Sequence, residues 1–121
     1  MAEHNDLGKK GEQYAVQYLK KNNYTILDKN WRAGHLEIDI VASKKDFIVF
    51  VEVKTRTNEK FYDAAVAVNR LKQKQIIRAA NSYIQKNDIK REARFDIISV
   101  FVNGDQFKLD HLEDAFYPTL R

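Results

Sequence analysis

The stretch HLEIDIVASKKDFIVFVEVK, residues 35–54, decides the fold. Both halves alternate with the period of two that marks a strand. In the first half Ile38, Ile40 and Ala42 fall on one face, and Glu37, Asp39 and Val41 on the other. In the second half Phe47, Val49, Val51 and Val53 share a face, leaving Ile48, Phe50, Glu52 and Lys54 opposite. The connector Ser43-Lys44-Lys45-Asp46 is short and polar, so the two runs read as a tight antiparallel hairpin. Folded symmetrically about Lys45-Asp46, the hairpin sets Asp39 opposite Glu52 and Glu37 opposite Lys54.

Cross-strand neighbours lie about 5 Å apart at Cβ, and like charges there destabilise a sheet unless something positive lies between them. A hard divalent cation supplies that charge, because Mg²⁺ takes oxygen ligands, typically one or two carboxylates with waters and substrate phosphate. Asp39 and Glu52 are therefore candidate ligands for Mg²⁺ or Mn²⁺. Lys54, two residues beyond Glu52 on the same face, is placed to orient or help deprotonate an attacking water, or to neutralise charge on a phosphate. That is the core of a metal-dependent nuclease site. Glu-x-Lys also arises by chance, and both residue types are common at strand ends. The runs are too apolar for a solvated edge, however, and an unpaired charge in a buried strand is costly, which favours the metal reading.

The 121 residues suit one domain. Hydrophobic residues at 44%, with a single Pro and four Gly, argue for a packed fold rather than a linker. No segment reaches the roughly 18 apolar residues of a membrane span, and the N-terminus is polar rather than a signal sequence, which points to a cytoplasmic protein. With no cysteine, disulfides and thiolate zinc sites are excluded, and His4, His35 and His111 are too scattered for a histidine-rich one. Any metal is held by oxygen. A formal charge of +4 permits a phosphate-bearing partner, and its distribution says more than its size. Arg70, Lys72, Lys74 and Arg78 cluster, Lys86, Lys90, Arg91 and Arg94 follow, and Lys9, Lys10, Lys20 and Lys21 flank the first helix. Each cluster alone is as readily a solvated face. Beside an acidic metal pair, they are what draws a polyanion toward the carboxylates.

Along the chain, Asn5 or Asp6 caps a helix from about Leu7 to Asn22, with Leu7, Gly11, Tyr14, Ala15 and Tyr18 as its apolar stripe. Glu12 borders that stripe and reads, on pattern alone, as an ordinary exposed helix glutamate. Tyr24 to Trp31 forms a first strand, and the turn Arg32-Ala33-Gly34 leads into the hairpin. After Lys54 the chain becomes polar over residues 55–63, a loop able to approach substrate. Asn69 caps a second helix from about Arg70 to Lys86. Gln73, Ile76, Ile77, Ala80, Tyr83 and Ile84 mark its inner face, Lys72 borders that face, and Arg70, Lys74 and Arg78 point away. Phe95 to Val102 is an apolar strand, Asn103-Gly104 a hairpin-turn signal, and Gln106 to Leu112 its partner. The order αβββαββ gives one α/β domain, a mixed sheet of about five strands flanked by helices. The third and fourth strands are joined by a crossover that allows them to be parallel.

An acid on the first helix, then Asp39, then Glu52-Val53-Lys54, in this order of elements, resembles the restriction-endonuclease fold and its PD-(D/E)xK site. The narrower resemblance rests on Gly11-Glu12, Asn30-Trp31-Arg32, Glu37-Ile38-Asp39, the run from Phe50 to Arg56, Lys72-Gln73 and Arg94-Phe95-Asp96. These segments span almost the whole chain and resemble the YraN-like family of uncharacterised bacterial proteins, predicted nucleases similar to archaeal Holliday junction resolvases and to RecB-type nuclease domains. The resemblance implies Asp39 and Glu52 as metal ligands with the Val53 carbonyl as a further one. It makes Lys54 the catalytic lysine and Glu12 the helix acid that completes the site, in catalysis or on the metal. It implies phosphate contact by Lys72; Arg56, Arg70 and Lys74 are the further nucleic-acid-binding candidates beside it, and Glu37 and Gln73 are candidates for supporting roles.

One departure is visible: the family commonly reads Gly-Glu-Ile-Asp, whereas His35 and Leu36 here intervene between Gly34 and Glu37. That leaves open the turn geometry and whether Glu37 supports the site or pairs with Lys54. Arg94 and Asp96 read as a structural pair at a strand start, and His35 and His111 as hydrogen-bonding residues rather than ligands. The resulting expectation is a Mg²⁺- or Mn²⁺-dependent endonuclease that hydrolyses DNA, branched or otherwise structured, in repair or recombination. A second reading keeps the fold but makes the chain a non-catalytic or partner-dependent DNA-binding module, and a third makes it an interaction protein without nucleic acid. Resolvases of similar fold act as symmetric dimers, so the resemblance also implies a homodimer, although no segment marks an interface for one.

Overall fold

The helix and strand signals resolve, in a computed structural model that describes residues 2–57 and 69–118, into seven elements. They are α1 (Ala2–Lys21), β1 (Thr25–Ala33), β2 (Leu36–Lys44), β3 (Phe47–Arg56), α2 (Arg70–Lys86), β4 (Glu92–Asn103) and β5 (Gln106–Phe116). The order is the expected one. The polar stretch expected as a loop at 55–63 begins later, because Thr55 and Arg56 still belong to β3. The part of it from residue 58 onward lies outside the described residues.

α1 starts at Ala2, so Asn5 and Asp6 lie within it rather than capping it. Asn and Asp cost under about 0.7 kcal/mol each in a helix interior, too little to fix a terminus. Its inner face is wider than the stripe read from sequence: Ala15 and Leu19 are fully buried, with Leu7, Tyr14, Val16 and Tyr18 packed around them. The helix ends as Asn23 takes a left-handed conformation (φ 71°) and the Tyr24 amide donates to the Leu19 carbonyl at 2.9 Å. α2 starts where its cap predicts, with the Lys72 amide donating to Asn69 Oδ1 at 2.9 Å, and it buries Ile76, Ala79, Ala80 and Tyr83.

The five strands form one mixed sheet in the order β1-β2-β3-β4-β5. Neighbours are antiparallel except β3 and β4, which run parallel because α2 carries the chain back between them. The period of two in β3 assigns its faces. Val49 and Val51 pack under α1 with Ile40, Ala42, Ile98 and Val100. Ile48 and Phe50 pack under α2 with Val41, Phe95 and Ile97. The chain is thus a mixed α/β domain with a helix on each face of its sheet. No helix among the described residues is long and apolar enough to cross a membrane.

Three local expectations shift. The first hairpin turns at Gly34-His35, with φ 63° at Gly34 and Ala33 paired to Leu36, so β1 runs through Arg32 and Ala33. His35 and Leu36 are thereby accommodated as one turn residue and one strand residue. The last hairpin turns at Gly104-Asp105, one residue later than the Asn103-Gly104 signal, because Asn103 still pairs with Gln106 and Gly104 supplies the positive φ. Ile38 joins the α2-side core, not the face of Ile40 and Ala42. The alternation of β2 breaks between Ile38 and Ile40, at Asp39.

Arg94 and Asp96 are the structural pair expected. The Arg94 guanidinium donates to both oxygens of the fully buried Asp96 carboxylate, Nε to Oδ1 at 2.9 Å and Nη2 to Oδ2 at 2.7 Å. His111 Nε2 lies 2.7 Å from the same Oδ2, with its Nδ1 2.8 Å from the Tyr18 hydroxyl. The Asp114 amide, at a bulge of β5 where φ is 53°, donates to Asp96 Oδ1 at 3.0 Å. His111 is a hydrogen-bonding residue, as read from the sequence. The exposed His35 has no hydrogen bond among the described residues, since it occupies the turn itself.

Candidate functional site

The site forms where the central hairpin opens. β2 and β3 pair from Lys44 and Phe47 down to Ile40 and Val51, and their ladder ends there. Beyond it Asp39 lies level with Glu52, as the symmetric hairpin requires, but the strands have parted. The Asp39 side chain fills the gap, its Oδ2 accepting the Val53 amide at 2.8 Å. A carboxylate therefore takes the place of a backbone acceptor. On the other side of β2, Asn30 of β1 sits between the pairs Lys29–Ile40 and Trp31–Ile38 with φ 52°, a left-handed conformation level with Asp39.

Glu52 lies beside Asp39 on the α2 face, 6% exposed. Burial, and then the neighbouring Asp39 charge, pushes its carboxyl up to about 7. Asp39 is also raised, chiefly by burial, although the Val53 amide pulls against the shift. Two carboxylates held this way cannot both ionise freely, and the protons that leave belong to the pair. Two cations converge on Glu52 Oε2 without closing on it, Lys54 Nζ at 3.8 Å and Lys72 Nζ at 3.9 Å. Lys54 comes from the same face of β3, and Lys72 from the first turn of α2, on the inner border where helical spacing places it.

Glu12 approaches from the other helix. Gly11 makes the approach close: a Cβ there would overlap Thr55, meeting Oγ1 and coming within 2.7 Å of Cγ2 and 2.8 Å of Cβ. α1 is thus pressed onto the end of β3 beside the acids. Burial, then the charge of Asp39, raises the Glu12 carboxyl, while a hydrogen bond from Asn30 lowers it. Glu12 is therefore no ordinary surface glutamate. It still stands apart from the pair as a ligand: among the described residues no three His, Asp or Glu side chains gather closely enough to hold a metal.

Glu37 does not pair with Lys54, because the ladder ends before that register. It lies 3.7 Å from Arg32 Nη2 across the β1–β2 hairpin, and its charge contributes to raising Asp39. Arg56 closes β3, and Gln73 is half-buried on α2. Arg70 and Lys74 project from the outer side of α2 and stand away from the acids, lining a separate groove. Asn30 carries no role in the sequence beyond the Asn30-Trp31-Arg32 segment. Its signal in the sequence is an Asn inside a strand, a residue type that tolerates the left-handed conformation.

The model of the uncharacterised protein family UPF0102 matches residues 11–100 of this chain. A UPF0102 protein of Bacteroides thetaiotaomicron is 49% identical over 120 residues, covering 99% of each chain. One from Flavobacterium psychrophilum is 47% identical over 117 residues, 97% of this chain and 98% of its own. Glu12, Asp39, Glu52, Lys54 and Lys72 all fall inside the matched span.

Proposed function

This chain belongs to the uncharacterised protein family UPF0102, the YraN-like proteins, and from that premise we propose that it is a metal-dependent endonuclease of restriction-endonuclease-like fold acting on structured DNA. The observation that carries the reading is the Asp39–Glu52 pair, a half-buried carboxylate beside a buried one, with Lys54 and Lys72 converging on Glu52. Packing alone gives no reason for them, since well-packed apolar residues in place of buried charges are often neutral or stabilising. Acids raised by burial and by each other, among opposite charges, are instead what a reactive site assembles.

A hard cation fits this donor set. The donors are oxygens, the lysines stop 3.8 and 3.9 Å short of Glu52 rather than closing on it, and Mg²⁺ needs only one or two protein carboxylates. Asp39 and Glu52 would hold the ion. The Val53 carbonyl leaves the strand on the same side as its amide, which faces Asp39, and so borders the same gap. Bound there, a divalent ion supplies polarisation of the scissile phosphate and a lowered pKa for the attacking water.

The protein's own groups do the rest. Lys54 Nζ, partly open to solvent, donates to the water or to a phosphate oxygen and keeps the nucleophile on the acid side of the phosphate. Lys72 Nζ, which approaches the same Glu52 oxygen from α2, offsets charge there. Glu12, whose carboxyl burial and the Asp39 charge raise, takes up the proton that the water gives off. Arg56 binds the DNA backbone beyond the cleaved bond, and Glu37, held near Arg32, adds negative charge beside Asp39.

Incubation of the purified chain with labelled junction, flap and linear DNA should give cleavage in Mg²⁺ or Mn²⁺ and none in EDTA, with Asp39→Ala and Glu52→Ala both inactive. Cleavage that survived both substitutions would overturn the assignment. The lack of a third acid at ligand distance among the described residues favours, as the second reading, a DNA-binding module of the same fold. Calorimetry with Mn²⁺ that detected no binding would select it.

A further inference from the structure

The outer side of α2 carries a groove of about 360 Å³ that takes no part in the acid cluster. Arg70, Lys74 and Arg78 follow one another at intervals of four residues along the helix, and Gln73, Ile77, Tyr117 and Pro118 complete the wall. At 1.5 Å of rise per residue the three cations form a stripe about 12 Å long. None of them is in an ion pair among the described residues. Tyr117, which follows directly on the buried Phe116, is 68% exposed, an open aromatic face fixed beside unpaired positive charge.

From this juxtaposition we propose that the groove is a binding site for an unpaired polynucleotide strand, with Arg70, Lys74 and Arg78 on successive phosphates and Tyr117 stacked on a base. The length of the stripe calls for a polymer, because one phosphate or a mononucleotide engages only one of its cations. The tyrosine calls for a single strand: a ring can lie on a base only when that base is out of the duplex stack, and stacking beside a basic track is how sequence-tolerant single-strand sites are built. An acidic peptide would satisfy the cations but leave the ring without a planar partner. The inference extends the nuclease reading from the acids to the strand that reaches them. Lys72 on the inner side of α2 touches Glu52 while Lys74 lines the outer groove, so a strand held outside passes one helix width from the cluster.

Binding can be read without cleavage. Fluorescence anisotropy in EDTA would use labelled 12-nucleotide oligothymidylate, oligouridylate of the same length, and a 12-base-pair DNA duplex, each at several salt concentrations. The expected result is tighter binding of the single strands than of the duplex. Tyr117→Ala should weaken single-strand binding about tenfold or more and leave duplex binding unchanged, while Tyr117→Phe, which keeps the ring, stays near the parent. Lys74→Ala and Arg78→Ala should weaken every ligand alike and lower the salt slope by about one each. Tyr117 and the cations are exposed, so thermal melts of the variants should match the parent. Equal affinity for single strand and duplex, a Tyr117→Ala variant that binds as the parent does, or no oligonucleotide binding at all would overturn the proposal. Comparison of the thymidylate and uridylate arms separates DNA from RNA. Single-strand binding without metal-dependent cleavage would uphold the groove and remove the nuclease reading, and cleavage without it would do the reverse.

Discussion

Asp39 Oδ2 accepts the Val53 amide at 2.8 Å, one step past the last backbone pair of the β2–β3 ladder. The bond does two things. It satisfies a strand amide that the parting of the strands leaves without a carbonyl, and it fixes the carboxylate beside Glu52. The two substitutions Asp39→Asn and Asp39→Ala separate these roles. Asparagine keeps an oxygen for the amide and removes a charge from a crowded site, so Asp39→Asn should be at least as stable as the parent while losing cleavage and Mn²⁺ binding. Alanine leaves the amide unmet and should fall below asparagine by about 1–3 kcal/mol. Urea denaturation at neutral pH in EDTA measures the gap, and equal stability of the two variants would show that the bond carries nothing.

Glu52 sets a pH dependence that is unusual for an acid. Burial and Asp39 raise its carboxyl from 4.5 in an exposed state to about 7 in the fold. Between those values the folded chain holds a proton that the unfolded chain has released, so stability must fall as pH rises through the window. The contribution is complete below about 4.5 and gone above about 7. Glu52→Gln keeps the shape without the charge, and should lack this slope and be more stable than the parent at pH 8 by about 1–3 kcal/mol in EDTA. The same variant should be inactive. Melting at pH 5, 6, 7 and 8 tests both parts, and a variant less stable than the parent at pH 8 would contradict the burial argument.

Asp96 behaves in the opposite sense. Burial pushes its carboxyl up, but hydrogen bonds from His111, from Arg94 and from the Asp114 amide outweigh it and hold it below the usual 3.8. A lowered acid stabilises the fold above its ordinary range, and the contribution is lost as pH falls through the folded value. Asp96→Asn leaves the Arg94 guanidinium, only 12% exposed, with the exposed Glu113 carboxylate at 3.8 Å in place of its buried bidentate partner. A loss of about 3–5 kcal/mol is expected at pH 7, shrinking below about pH 4 as the parent protonates. Denaturant titrations at pH 7 and pH 3.5 give the comparison. A constant difference between them would refute the linkage.

Much of this was legible from the hairpin. Period-two alternation is set by the pleat, so the facing of Ile48, Phe50 and Glu52 against Val49 and Val51 could be read directly, and a two-residue turn at Lys45-Asp46 fixed Asp39 level with Glu52. The reading failed where backbone departs from the pleat. Ile38 crosses to the α2 core because β2 breaks step at Asp39, opposite the left-handed Asn30, and no hydrophobic pattern encodes that break. Pairing of Glu37 with Lys54, one of two roles the hairpin leaves open for Glu37, extends the ladder past the point where it ends. Glu12 could not be told from a solvated helix glutamate by its own turn, because what distinguishes it is the distant contact between Gly11 and Thr55. The same limit applies to the outer groove, since nothing local joins Tyr117 to Arg70.

That contact between Gly11 and Thr55 decides how near Glu12 stands to the acids. Alanine at 11 would place a Cβ inside the space of the Thr55 side chain, and 2.8 Å from its Cβ, which belongs to a β3 residue that cannot shift without moving the sheet. The helix must yield instead. Gly11→Ala should therefore cost about 1–3 kcal/mol by overpacking, against the gain of up to about 1 kcal/mol that alanine normally brings to a helix interior. It should also move Glu12 away from Asp39, lowering cleavage more than the melting temperature alone predicts when both are assayed well below the transition. Thr55→Gly removes the obstructing atoms, so the double variant Gly11→Ala/Thr55→Gly should recover part of the activity lost in Gly11→Ala while remaining less stable than the parent, since glycine weakens a strand. Activity in Gly11→Ala equal to that of the parent would mean that the approach of α1 to β3 does not position Glu12 for the reaction.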